Sequence, residues 1–134
     1  FVIESKVADK DILIKGLDDS SVITACTFDM SAAGKATFND DVVAFSDERL
    51  KSDIKTIDNA LDKVSQMRGV SFVKNGHKSI GVIAQEVEKV LPEIVSTEKK
   101  DGQEYLGVAY GNIVGVLIEA IKDLQNQVNE LKKG

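Results

Sequence analysis

Ile113-Val114-Gly115-Val116-Leu117-Ile118-Glu119-Ala120-Ile121-Lys122-Asp123-Leu124-Gln125-Asn126-Gln127-Val128-Asn129-Glu130-Leu131-Lys132-Lys133-Gly134 carries the strongest periodic signal in the chain. Val114, Leu117, Ile121, Leu124, Val128 and Leu131 are spaced 3, 4, 3, 4 and 3 residues apart. That is an a/d heptad seam with charged and amide residues between its members. A helix is expected over roughly residues 110–132. From Lys122 onward only the seam is apolar, which favours burial against helices of other chains; the half from Ile113 to Ile121 is equally able to pack on its own domain. A β-branched residue at a with Leu at d formally prefers two strands. The seam predicts an oligomer without fixing its number.

Upstream of that helix the pattern is mixed. Ile54, Ile57, Leu61 and Val64 recur at helical spacing, with Ile54 and Ile57 equally suited to an extended lead-in. Asp58 is the expected N-cap and Gly69 the expected stop. Val70–Val73 and Ser79–Ile83 read as strands around an Asn75-Gly76 turn. Ala84 to Leu91 reads as a helix ended by Pro92, the only proline. Ile94–Thr97 and Tyr105–Val108 are expected to bracket a polar, hairpin-like stretch from Glu98 to Glu104.

Before Ser46 the character changes. Ile12-Leu13-Ile14, Val22 to Met30, Ala36-Thr37-Phe38 and Val42-Val43-Ala44-Phe45 read as short strands. Lys15-Gly16, Asp18–Ser21, Ala33-Gly34 and Asn39–Asp41 separate them as turns. So few short strands bury too little surface to stand alone. An intertwined β stalk shared between identical chains would supply the missing cover.

Composition narrows the function classes. Apolar residues make up 43% of the 134 residues but aromatics only 5%, so the core must be built from Val, Ile, Leu and Ala. The net charge is −5, and residues 1–45 carry 4 basic and 8 acidic groups. That is no footprint for nucleic-acid phosphates. No apolar run approaches the roughly 20 residues of a membrane span. The single cysteine, Cys26, excludes an intramolecular disulfide, fits a reducing cytosol, and is expected to be a buried, inert thiol. Phe1-Val2-Ile3-Glu4-Ser5-Lys6 has neither an initiator Met nor a signal pattern, so further sequence is expected upstream. No metal-ligand cluster, phosphate loop or paired-carboxylate signature is visible, and no cofactor is implied.

The junction reads Phe45-Ser46-Asp47-Glu48-Arg49-Leu50-Lys51. A serine hydroxyl is a poor nucleophile until a base takes its proton. Lysine can be that base only if its pKa falls from about 10.4 towards 7–8, through desolvation or a nearby cation. Arg49 would help; Asp47 and Glu48 would oppose it unless they point elsewhere. On a regular helix the spacing of Ser46 and Lys51 sets the side chains well apart. The pair therefore needs a turn between them or a meeting across chains. Spacing alone would equally suit a solvated charged turn.

The surrounding residues carry more. Ser46-Asp47-Glu48-Arg49-Leu50-Lys51-Ser52-Asp53-Ile54 closely resembles the opening of the intramolecular chaperone autoprocessing domain found at the C-terminus of many bacteriophage tail fibres, tailspikes and endosialidases. The resemblance continues in Ile80-Gly81-Val82-Ile83-Ala84-Gln85-Glu86-Val87-Glu88-Lys89-Val90-Leu91-Pro92-Glu93. It returns in Tyr110-Gly111-Asn112 with Leu117–Leu124. Asp29–Phe38 resembles the β-rich stem that precedes this domain. The resemblance implies an α+β homotrimer: a β-rich trimeric stem over residues 1–45, a small mixed α/β chaperone domain over 46–134, and a long coiled-coil-like C-terminal helix.

It also implies a self-cleaving serine peptidase acting once, in cis. Ser46 would be the nucleophile, Lys51 the general base, and Phe45–Ser46 the scissile bond. Ser46 and Lys51 are expected to align only in the trimer, through a strained turn at Ala44 to Asp47. The implied setting is a virion tail-fibre precursor assembled in the host cytoplasm, attached to upstream fibre or tailspike domains, with the chaperone released or retained after the cut. Asp47, Arg49, His77 and Gln85 are possible supporting residues. Arg49 would steady an oxyanion or make a salt bridge, His77 is expected in an exposed turn, and Gln85 and Glu86 would cap or pair locally. The alternative is a non-cleaving trimerisation cap of the same fold.

Overall fold

A computed structural model describes residues 1–134. It resolves into two units, Phe1–Ser52 and Asp53–Gly134. The architecture is α+β, with small antiparallel sheets and the long helix last.

In the first unit, β1 (Ile12–Asp18), β2 (Ser21–Asp29) and β3 (Lys35–Phe38) form an antiparallel meander in that order. Asp19 turns the first hairpin at φ 52°, and Ala33 and Gly34 turn the second at 57° and 77°. Lys15-Gly16 does not break β1. Ile14 pairs with Cys26 and Lys15 with Thr24, so the unpaired Ala25 forms a bulge that absorbs the irregularity and lets the ladder continue. Val42–Phe45, expected as a strand, lies in none. A strand needs a partner, and the chain gives this segment none, leaving Phe45 95% exposed. Cys26 is the only buried apolar residue of this unit and is a free thiol. The apolar side chains of Leu13, Ile14, Leu17, Val22 and Phe38 are exposed.

The second unit has a compact core of Val87, Leu91, Ile94 and Val116, flanked by Ile57, Val64, Met67, Val82 and Val108. α1 (Ala60–Ser65) starts at Asn59, in the left-handed region at φ 48°, rather than at Asp58. Asp58 instead accepts a hydrogen bond from Lys63 Nζ at 3.2 Å. The free Leu61 N–H is met from across the unit by Asp123 Oδ2 at 3.3 Å, a tertiary cap for a donor the helix cannot satisfy itself.

Two hairpins follow the same rule. β4 (Val70–Lys74) and β5 (His77–Gly81) are joined by Asn75 and Gly76 at φ 52° and 77°. β6 (Val95–Lys100) and β7 (Gln103–Val108) are joined by Asp101 and Gly102 at 52° and 76°. Positive φ at both central residues matches the twist of a two-residue hairpin and selects Asn-Gly and Asp-Gly. The polar stretch Glu98–Glu104 is therefore mostly ladder, with Lys100 paired to Gln103. α2 (Ala84–Val87) is shorter than expected. Val90 and Leu91 both donate to Val87 O, at 3.1 and 2.8 Å, so the helix loosens before Pro92 opens a 3-10 turn.

α3 (Ile113–Lys133) packs Val116 and Ala120 inward. Its seam points away from that core: exposure runs from 37% at Val128 to 81% at Leu131, with Val114, Leu117, Ile121 and Leu124 between. The helix thus packs on its own unit and still presents an uncovered apolar stripe. At the foot of β5, a Cβ on Gly81 would stand 2.5 Å from Tyr110 Oη, which accepts the Val82 N–H at 3.3 Å.

Removing most of one core side chain tests this packing. Leu91→Ala should cost about 2–5 kcal/mol, read as a lower urea midpoint at fixed protein concentration with an unchanged denaturant slope.

Candidate functional site

The site is built on a tight local turn in the first unit. Asp47, extended at φ −62° and ψ 137°, caps a 3-10 turn over Glu48–Leu50. Leu50 N–H donates to Asp47 O at 3.1 Å and Lys51 N–H to Glu48 O at 3.0 Å. This closes the chain back on itself within five residues of Ser46. The turn carries the lysine to the serine: Lys51 Nζ donates to Ser46 Oγ at 2.7 Å and to Ser46 O at 2.8 Å. Both residues are exposed in the single chain.

Two expectations change here. Ser46 and Lys51 meet within one chain, so their alignment needs no second copy. The segment Ala44–Asp47 contains no residue at positive φ, so the strained turn expected there is not found. A short 3-10 turn does by ordinary geometry what strain was expected to do.

Asp47 is turned away from the lysine. Its Oδ1 accepts from Arg49 N and from Arg49 Nε, both at 2.9 Å, and its Oδ2 accepts from Arg49 Nη2 at 2.8 Å. The guanidinium of Arg49, with its backbone N–H, holds the Asp47 carboxyl below the usual carboxylate range. Asp47 in turn holds Arg49 more firmly protonated. Phe45, Asp47, Arg49 and Leu50 line an open groove beside the Phe45–Ser46 bond.

The other residues singled out in sequence belong to the second unit. His77 is exposed and opens β5 opposite Lys74, within the ladder rather than the turn. Gln85 is exposed on α2, where it borders a groove with Phe72, Val82 and Tyr110. Glu86 pairs with Arg68, whose Nε donates to Oε1 at 3.0 Å, and this hydrogen bond lowers the carboxyl's pKa. Neither the Arg68–Glu86 pair nor the Tyr110–Val82 bond was legible in sequence, because each joins residues far apart in the chain. No three His, Cys, Asp or Glu side chains converge as metal ligands would. No helix is long and apolar enough to cross a membrane.

A lysine amine thus meets a serine hydroxyl in a turn that follows the β meander. Residues 46–96 match the model of a peptidase family described as the chaperone of endosialidase. The chain is 42% identical over 95 residues to the long tail fibre protein Gp37 of Enterobacteria phage K3, a match covering 65% of this chain and 8% of that protein. Against the protein of the same name from Enterobacteria phage M1 it is 35% identical over 108 residues, 74% of this chain and 43% of the relative. Against that of Salmonella phage S16 it is 33% identical over 110 residues, 75% and 15%. The chain thus spans less than half the length of these relatives.

The Asp47–Arg49 pair has a titration signature. A folded-state pKa held down by a cation means that the pairing is present above the ordinary carboxylate pKa and is lost as pH falls through the lowered value. Carboxyl carbon NMR should find Asp47 titrating below about 3.9, and Arg49→Ala should return it towards that value.

Proposed function

We propose that this chain serves a phage tail-fibre protein as an intramolecular chaperone, bringing three copies into register and then freeing the fibre by cutting Phe45–Ser46. The observation that carries the proposal is the 2.7 Å approach of Lys51 Nζ to Ser46 Oγ.

Deprotonated Lys51 takes the Ser46 hydroxyl proton as Oγ attacks the carbonyl carbon of Phe45. The Oγ–C bond forms and the C–N bond to Ser46 breaks, while Lys51 returns its proton to the leaving amine. An ester remains between Phe45 and Ser46 Oγ. Water hydrolyses it, giving a carboxylate at Phe45 and restoring the free hydroxyl of Ser46.

The first condition of this reaction is a neutral lysine. Nζ stands 2.7 Å from Ser46 Oγ and 2.8 Å from Ser46 O. Both groups face water in the single chain, and water stabilises a charged amine in general. Assembly acts by excluding that water: desolvation disfavours the charged lysine and reverses the proton's direction. The partner surface is at hand in the apolar stripe of α3 and the exposed apolar side chains of the β meander. Alignment is intrinsic to the chain; burial is supplied by its copies.

The consequence is a ratchet. While attached, the module gives slow, non-local strand pairing a high local concentration and a fixed register. After the cut, the assembled fibre persists because its unfolding is slow. The setting is the cytoplasm of the infected cell, where the virion's tail fibre is put together.

The wild-type protein should give one fragment ending at Phe45 and one beginning at Ser46 on a denaturing gel. Ser46→Ala and Lys51→Ala should each slow the cut by at least about a hundredfold. An intact wild-type chain in a fully assembled sample would instead favour a non-cleaving trimerisation cap. Sedimentation should give the mass of three copies, and Leu117→Asp with Leu124→Asp should lower it and abolish cleavage together; a stable dimer would contradict the assembly proposed.

A further inference from the structure

Asp47 is a hazard placed beside the reacting pair. It follows Ser46 directly, and its carboxylate is the obvious partner for a lysine ammonium folded back to that position. A Lys51–Asp47 ion pair would draw Nζ off Oγ and keep it charged. In the structure that pair does not form. Arg49 occupies both Asp47 oxygens, with Nε on Oδ1 at 2.9 Å and Nη2 on Oδ2 at 2.8 Å, a planar two-point grip that a lysine cannot match. Lys51 is left to Ser46 alone.

We infer that Arg49 is a positioning residue for the cut, acting through Asp47: it sequesters the carboxylate that would otherwise capture Lys51. The inference rests on the Ser46–Lys51 reaction proposed above. Stability is a poor explanation for the pair, since Arg49 is 88% exposed and Asp47 41%, and exposed ion pairs contribute little to folding. The lowered pKa of Asp47, caused by Arg49, agrees with a carboxylate held by this cation. The other charged groups along the turn are Glu48, which makes no side-chain bond to Lys51, and Asp53 beyond it. Arg49 also borders the groove beside Phe45, so direct contact with a developing oxyanion is the competing role.

The two roles separate by a double substitution. Cleavage rates are followed across pH for the wild type, Arg49→Ala and Arg49→Ala/Asp47→Asn, each first shown by sedimentation to assemble. Asn keeps a side-chain oxygen for capping the turn while removing the charge. Arg49→Ala should cut about tenfold more slowly at neutral pH, with its pH–rate profile displaced upward by on the order of one unit, because the released carboxylate holds Lys51 protonated. The double variant should regain most of the lost rate and the original profile. A double variant as slow as Arg49→Ala would overturn the inference and assign Arg49 to the oxyanion. An Arg49→Ala protein that cuts like wild type would also overturn it while leaving the Ser46–Lys51 reaction standing. If assembled wild type does not cut, and Ser46→Ala changes nothing, the reaction itself falls and the inference with it.

Discussion

One copy of this chain does not have enough apolar surface in the right places to cover what it exposes. The buried set is short: Cys26 in the meander, and Ala60, Val87, Leu91, Ile94, Val116 and Ala120 in the second unit. Against it stand Leu17, Val22 and Phe38 on the strands, Ile80 on β5, and the whole seam of α3 from Val114 to Leu131, all exposed. Small domains are marginal because surface outweighs interior, and contiguous apolar patches on a soluble chain mark surfaces that meet something. The division of labour within α3 makes the point. Val116 and Ala120 tie it to its own core, while the adjoining stripe is kept free.

In the reaction we propose, that constraint gives the chemistry its timing. The 3-10 turn at Glu48–Leu50 is closed by backbone hydrogen bonds and by an aspartate cap, all local. Local contacts need no partner, and serine and lysine already meet within one chain. On the proposed mechanism such a pair must be kept inactive until assembly, and solvent exposure would do this because water stabilises a charged amine. In that proposal, covering the site is the remaining step, and it would wait for the meeting of copies. Register first and scission second would then follow from one solvation term rather than from a moving part.

How much of this was legible beforehand depended on range. The α3 helix and its outward seam were readable from heptad spacing alone. The Asn75-Gly76 turn was readable because a two-residue hairpin demands positive φ, and Ser46 and Lys51 were readable as candidates from a motif. What failed was long-range or subtle. Val42–Phe45 has strand composition but no neighbour to pair with, and composition cannot report a missing neighbour. Lys15-Gly16 looked like a break because a bulge at Ala25, on the opposite strand, was invisible. Asp58 looked like the cap of α1 because Asp123, the residue that meets the helix N-terminus, lies on α3. At the site, sequence posed the question of where Asp47 points, and only the fold of the turn answers it. Helical spacing would separate the pair, leaving either a turn or a meeting across chains, and the 3-10 turn brings them together within one chain.

The most direct measurement is intact-mass and terminal-peptide spectrometry on protein folded and assembled in neutral hydroxylamine, which traps acyl esters before water does. The account predicts one product beginning with a free amine at Ser46 and its partner ending as the hydroxamate of Phe45, with neither formed by Ser46→Ala. An assembled wild type whose Phe45–Ser46 bond remains whole, or products whose new ends lie elsewhere, would contradict it.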